Sequence, residues 1–207
     1  MHRRTALSVS AALLAAAPLL AACGGEPRPG TAAVVGGERI QTTTLQTQVN
    51  DVREAQRRSP QATQLIENSA GLERAKLNTM IQSLVLARAA ADTGLSVTAK
   101  DLQEARREEI SRVGGTEQFE TLVLQQASIS PAQIDQALRD RLIVAKLTER
   151  YGQQKFLEPI SAAAKKLGIE VNPRFGAWDG EKLSLTDVKT PWIMQRSEGE
   201  QQAPEGT

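Results

Sequence analysis

Apolar residues recur at helical spacing along most of the chain between Thr42 and Leu167, and this pattern constrains the fold more than any other feature. In the first such stretch, Leu45, Val49 and Val52 lie four and three positions apart, which places them on one face of a helix. Glycine, serine or proline breaks the pattern at short intervals. The sequence therefore predicts a mainly α fold with five or six helices. Both a closed bundle and an open cradle are compatible with it.

Capping residues set the expected ends of these helices. Thr98, with Asp101 three positions later, is a typical N-cap followed by an acidic residue in the first turn. Ser130-Pro131 predicts another helix start, because proline is tolerated at the first helical position. The stretch from about Ala70 to Thr93 has the widest apolar face, so we expect it to be the central core helix. The predicted helices cover approximately residues 42–58, 70–93, 98–112, 116–127, 131–151 and 154–167.

Short extended segments flank the helices and predict a small β element. Residues 33–35 and 38–40 surround Gly36-Gly37, which indicates a hairpin. Residues 169–171 predict a short strand after the last helix, and residues 172–179 an irregular, turn-rich segment. The expected fold class is therefore a mainly α, multi-helix domain. Its small β element is formed by the N-terminal hairpin and a short C-terminal strand.

The N-terminus has the composition of an export signal. A basic region at residues 2–4 precedes a run of apolar and small residues that ends at Ala22, shorter than the ~20 residues that span a bilayer. The exit, Leu20-Ala21-Ala22-Cys23-Gly24, resembles the lipobox of bacterial lipoproteins. The resemblance implies cleavage before Cys23 and acylation of Cys23, with palmitate among the acyl chains. An ordinary signal peptide with an incidental cysteine is the alternative, and export by the general or the twin-arginine route stays open.

A lipid on Cys23 predicts where the protein works. Two acyl chains hold a protein on a membrane nearly permanently, whereas one chain binds only marginally. The expected localisation is the cell membrane, with the folded part on its extracytoplasmic face. Residues 24–32, GGEPRPGTA, are rich in glycine and proline and are predicted to tether that part to the bilayer.

Composition excludes several kinds of chemistry. Removing residues 1–22 from the 207-residue chain leaves 185 residues and discards the only histidine, His2, while the only cysteine is the predicted lipid site. Triads that need histidine, His/Cys zinc sites and disulfides are therefore excluded, although carboxylate or lysine chemistry stays possible. The remaining 23 basic and 24 acidic groups nearly balance, which gives no electrostatic case for nucleic acid. We expect no catalytic residue, no metal, no cofactor and no nucleic-acid partner.

Four stretches together resemble a known family. Residues 32–45 (AAVVGGERIQTTTL), 92–105 (DTGLSVTAKDLQEA), 129–147 (ISPAQIDQALRDRLIVAKL) and 171–179 (VNPRFGAWD) resemble, in order and spacing, the N-terminal domain of the SurA/PrsA extracytoplasmic chaperones. The similarity is to the actinobacterial lipoprotein members in particular. It implies that the partners are unfolded or newly exported polypeptides, held without catalysis.

The sequence departs from that family in one respect. Complete members often carry a parvulin prolyl isomerase domain between the helical part and the terminal strand, whereas here Leu167 is followed almost directly by Ile169. The resemblance therefore implies a chaperone and argues against isomerase activity. A scaffold or accessory subunit that docks to one cell-envelope partner is the alternative, and a residual prolyl isomerase is a weaker one.

Aromatic residues suggest where clients bind. Of six aromatic residues, five lie at or beyond Tyr151. Phe175, Trp178 and Trp192 are predicted client-binding residues; the competing interpretation is that Phe175 and Trp178 staple the terminal segment onto the N-terminal hairpin. The predicted organisation is a lipoprotein signal peptide (1–22), a flexible tether (23–32), the helical chaperone-like domain (33–179) and an extended C-terminal segment with a disordered tail (180–207).

Overall fold

A computed structural model describes residues 29–187, and within them seven α-helices and five short strands. The helices are α1 (Thr42–Arg58), α2 (Ala62–Glu67), α3 (Leu72–Asp92), α4 (Ala99–Val113), α5 (Thr116–Ala127), α6 (Ile134–Tyr151) and α7 (Leu157–Leu167). The strands are β1 (Thr31–Val35), β2 (Glu38–Gln41), β3 (Ile169–Val171), β4 (Ala177–Asp179) and β5 (Ser184–Thr186). The predicted mainly α class is confirmed.

The N-terminal hairpin and the strand after α7 form one antiparallel sheet with the order β2-β1-β3. Gly36 and Gly37 form its turn with φ of 59° and 83°, a conformation that glycine adopts without a Cβ clash. At Gly36 the fit is also close, because a Cβ would lie 2.5 Å from the Leu167 side chain. The predicted β element is thus confirmed, and it joins the two ends of the helical region.

Helix α3 is the central helix of the main core, as predicted. It packs against α1, α6, α7, β1 and β5. Its buried residues Leu77, Ile81 and Val85 meet the stripe on α1 that includes Leu45 and Val49 in one apolar cluster. Burial of these side chains supplies most of the driving force for folding, at about 25 cal/mol per Å² of apolar surface.

Helices α3 and α6 run parallel and stay in register. Three hydrogen-bonded pairs join them at a constant separation of 57 residues: Lys76–Gln133, Ser83–Asp140 and Thr93–Arg150. The first two pairs lie one heptad apart on each helix, as in side-by-side coiled-coil packing. This register fixes the face that α3 turns towards α6 and leaves its other polar positions for the C-terminal strands.

Helices α4 and α5 form a helical hairpin around a second apolar cluster. Phe119 of α5 packs there with Ile134 and Leu138 of α6. Helix α4 itself has no fully buried residue. Its start is fixed by a reciprocal capping box between Thr98 and Asp101, which confirms the predicted N-cap.

Two ion pairs add to the contact of α4 with α6. Glu109 of α4 accepts from Arg141, and Asp101 accepts from Lys146 at 2.9 Å. These hydrogen bonds hold the pKa of both carboxyl groups below its usual range, with Arg112 as the leading cause at Glu109 and Lys146 at Asp101. Protonation in acid removes these contacts, so they contribute to stability only above the depressed pKa values.

Three segments differ from the sequence-based expectations. Helix α2 was not predicted, because within its single six-residue turn-and-a-half only Leu65 is buried and no periodic stripe can develop. Residues 177–179 form strand β4 rather than an irregular segment, because they pair with β5 against α3. The long helix begins with a 3₁₀ turn at 131–133, and the last helix starts at Leu157 rather than near Gln154.

Candidate functional site

Two of the four predicted site residues fall within the described structure. Cys23 and Trp192 lie outside residues 29–187. Phe175 and Trp178 lie close together in the segment that follows β3. The geometry of a candidate site can therefore be built only around the C-terminal part of the described chain.

Phe175 belongs to the main core. Its residue is 5% exposed and ends a 3₁₀ turn, Pro173–Phe175, that Asn172 caps by accepting from the Arg174 N–H at 3.1 Å. Asn172 is also tied to β1, because its backbone N–H donates to the carbonyl of Ala32 at 2.9 Å. The position agrees with the stapling interpretation. A client chain cannot reach the ring in this conformation, so client contact at Phe175 stays a prediction.

Trp178 lies in β4 and is half-buried. Its cross-strand partner is Leu185 of β5, and both side chains pack against the main core together with Leu183. The structure thus brings Trp178 next to Phe175 in sequence but into a different setting, since one face of the indole stays accessible. Of the two, only Trp178 is placed where another molecule can touch it.

Strand β5 is bound to α3 through side chains that contact its backbone. Asn78 accepts from the backbone N–H of Leu185 at 2.8 Å, and Gln82 donates to the carbonyl of Leu183 at 2.9 Å. At the end of the same row, Arg74 forms an exposed ion pair with Asp187. We refer to Arg74, Asn78 and Gln82 as the α3 polar row.

The spacing of these contacts shows that β5 runs antiparallel to α3. Each step of four residues along the α3 polar row matches a step of two residues back along the strand. Four helical residues rise about 6 Å and two strand residues about 6.6 Å, so the two periods agree. The row therefore supplies a hydrogen-bonding partner at each outward-facing position of an extended chain.

Sequence reasoning missed the α3 polar row, although a signal was present. Polar residues at i, i+4 and i+8 on a helix that is otherwise broadly apolar form a stripe of their own. Such a stripe on a central helix indicates a polar partner rather than solvent. Its partner, strand β5, could not be identified because three residues carry too little pattern.

Large apolar side chains are exposed at two other places. Within residues 29–187 these are Ile66 of α2, and Tyr151 with Leu157 at the connection between α6 and α7. Scattered apolar residues are common on protein surfaces, and a binding surface requires a contiguous patch. These residues are therefore secondary candidates beside the C-terminal strands.

The interface between α3 and α6 contains a buried lysine. Lys76, on the core side of α3, donates to Gln133 at 2.8 Å, and Gln133 donates in turn to the backbone carbonyl of Gln48 in α1 at 2.8 Å. Burial lowers the pKa of Lys76 from 10.5 to about 8. Because the amine is enclosed by three helices, its role is to join them rather than to meet a substrate.

Asp140 lies further along the same interface. Ser83 donates to one of its carboxylate oxygens at 2.5 Å, and Gln136 donates to the other at 2.8 Å. Burial nevertheless raises the pKa of Asp140, because removal from water disfavours the carboxylate more than these hydrogen bonds favour it. Both ionisable groups of this interface are therefore structural.

Replacing Lys76 with methionine is expected to change how stability depends on pH. Between pH 8 and 10.5 the unfolded chain keeps the Lys76 proton while the folded chain releases it, so the wild-type protein gains stability as pH rises. The stability advantage of Lys76→Met over wild type should thus shrink by about 1–3 kcal/mol between pH 7.5 and 10. Urea unfolding at several pH values measures it. Replacing the exposed Lys155 with methionine is the matched control, and an equally flat difference for both variants would contradict the buried-lysine account.

Two searches of the described residues bear on metals and membranes. In residues 29–187, no group of three or more histidine, cysteine, aspartate or glutamate side chains is arranged to hold a metal ion. Over the same range, no helix combines the length and the apolar character needed to cross a bilayer.

Comparison with known proteins identifies one family model. The model, described as a SurA-like N-terminal domain, matches residues 4–148, which is more than half of the chain. Searches among curated proteins and among solved structures found no match. The matched range ends within α6, so α7 and strands β3 to β5 lie beyond it.

Proposed function

The chain belongs to the family of SurA-like N-terminal domains, and on that premise we propose that it is a membrane-anchored chaperone that holds unfolded, newly exported polypeptides. The family match over residues 4–148 carries the proposal. The chain holds its clients without catalysis. It needs neither metal nor cofactor for this, because binding requires only accessible apolar surface and backbone hydrogen-bonding groups.

The composition supports a binding role. The only histidine and the only cysteine, His2 and Cys23, precede the folded part, so the helical domain contains neither of the side chains most used for acid–base or nucleophilic work at neutral pH. The two ionisable groups with the most buried settings, Lys76 and Asp140, are engaged between helices. Polypeptide clients are therefore the partners that suit these residues.

The N-terminal sequence supports the location. With two or more acyl chains on Cys23, the protein stays on the extracytoplasmic face of the cell membrane, where exported chains emerge. The stretch of glycine and proline after Cys23 then lets the helical domain reach those chains. Trp178 is the accessible aromatic residue of the described structure, and Trp192 follows it along the chain as a second candidate for client contact.

Site-specific crosslinking in cells tests the proposal against a scaffold role. A photoreactive amino acid placed at Trp178 is expected to capture many different exported polypeptides at low levels. The same amino acid at Gln103, exposed on α4, is the matched control and should capture few. One dominant partner at Trp178 would instead show a scaffold or accessory subunit of a single envelope complex.

A prolyl isomerase assay tests the remaining alternative. We expect no acceleration of cis–trans exchange in a proline peptide, because between Leu167 and Ile169 there is no room for an isomerase domain. Clear turnover by the purified protein would overturn the non-catalytic assignment.

A further inference from the structure

We propose that the α3 polar row is a binding site for an extended polypeptide segment, and that strand β5 occupies it until a client segment takes its place. The inference rests on the proposed chaperone function and names the site and the conformation of the ligand. The ligand class is an unfolded chain in β conformation with apolar residues at alternate positions.

The contacts of the row do not depend on the sequence of the bound strand. Asn78 and Gln82 bind the N–H and C=O of the main chain, groups that every polypeptide except proline offers. Their spacing fits the two-residue period of any extended chain. A site of this kind accepts many sequences, which is what a chaperone for diverse clients requires.

The side chains of the bound strand show which segments fit best. Leu183 and Leu185 lie two positions apart and pack, half-buried, against the main core. Trp178 covers the same region from β4. Segments with alternating apolar residues, typical of strands in folded proteins, therefore match this surface once they are unfolded.

The present occupant is held in a way that favours exchange. Leu183 has φ of 51°, a left-handed conformation that disfavours residues with a Cβ and that the turn between β4 and β5 imposes. Strand β5 has β4 as its sheet partner, and a two-stranded hairpin is marginal alone. The ion pair between Arg74 and Asp187 is exposed and adds little. A client segment that is free of this turn avoids the strained residue.

Trp178 provides a direct readout of the exchange. The full chain with Trp192→Phe keeps Trp178 as its only tryptophan. Dye-labelled, reduced and carboxymethylated ribonuclease A, an unfolded polypeptide without tryptophan, is titrated into it while dye anisotropy and tryptophan emission are recorded. We expect binding to coincide with a red shift of the Trp178 emission, as its partner strand leaves.

Variants of the strand and of the row separate displacement from simple destabilisation. Leu185→Pro removes the N–H bound by Asn78 and should raise client affinity about tenfold, because the site no longer has to be vacated. Leu185→Ala keeps that N–H and is the matched control. In the Leu185→Pro background, Asn78→Leu should lower the affinity about tenfold again, since it removes the acceptor that the client uses.

Three outcomes decide the matter. Binding with a red shift and opposite effects of Leu185→Pro and added Asn78→Leu supports the proposal. Binding without an emission change, with Leu185→Pro and Leu185→Ala alike, overturns it while leaving the chaperone function intact. Absence of binding by every variant overturns the chaperone function itself. Circular dichroism checks folding, and if Leu185→Pro does not fold, the emission of the Trp192→Phe chain decides alone.

Discussion

Replacing Phe175 with alanine is expected to lower the free energy of unfolding by about 3–5 kcal/mol. The ring is buried in the main core beside β1 and α3, so its removal leaves a cavity as well as losing buried apolar surface. The loss is a large part of the 5–15 kcal/mol that typical domains possess. Equilibrium unfolding in urea measures it, with the midpoint moving to lower concentration.

The neighbouring residue supplies the control for this variant. Arg174 is exposed, and its guanidinium lies 5.3 Å from the centre of the Phe175 ring, so Arg174→Ala should cost no more than about 1 kcal/mol. If Phe175→Ala instead left stability unchanged and weakened client binding, Phe175 would be a client-binding residue. The stapling interpretation would then be wrong.

Replacing Cys23 with alanine is expected to abolish lipid attachment. Without the thiol no diacylglyceryl group can be transferred, and the lipobox resemblance then implies that residues 1–22 stay on the chain. Each buried acyl CH₂ contributes about 0.8 kcal/mol to membrane binding, so loss of the lipid removes the dominant attachment. Incorporation of labelled palmitate and the intact mass of the protein measure both changes.

A substitution two positions away controls for general effects on export. Gly25→Ala keeps the thiol and the residues before it, and should be labelled and cleaved like the wild type. If the wild-type protein carried no lipid and began at Cys23, the N-terminus would be an ordinary signal peptide. The cysteine would then be incidental.

Sequence periodicity predicted those elements whose residues carry their own signals. The stripe of Leu45, Val49 and Val52 specified α1, and the reciprocal pair of Thr98 and Asp101 specified the start of α4. The two glycines at 36–37 predicted the hairpin, because their positive φ values suit its turn. In each case the cause of the structure lies within a few residues, so a single sequence suffices.

Elements stabilised by distant partners could not be predicted in this way. Strand β5 is three residues long and depends on Asn78 and Gln82, more than 100 positions earlier. Likewise, Lys76 on a predicted apolar face gave no sign that Gln133 would be its partner. Tertiary contacts decide such cases, and they appear only when the parallel register of α3 and α6 is known.

The same distinction applies to the candidate site. An aromatic pair near the end of the chain was visible in the sequence, and the structure separates a buried Phe175 from a half-accessible Trp178. The α3 polar row became apparent only when the strand that it binds was in place. A client site that binds backbone groups has a weak sequence signature, since amide side chains on a helix surface are common.

Suppression of aggregation by the purified protein tests the central claim most directly. A chemically denatured model protein is diluted into buffer without nucleotide, and light scattering is followed as the chaperone candidate is added. We predict that scattering falls progressively and is nearly abolished close to equimolar amounts, whereas serum albumin at the same concentration has little effect. Scattering that stays equal to the albumin control, even at a large excess of the protein, would contradict a chaperone function.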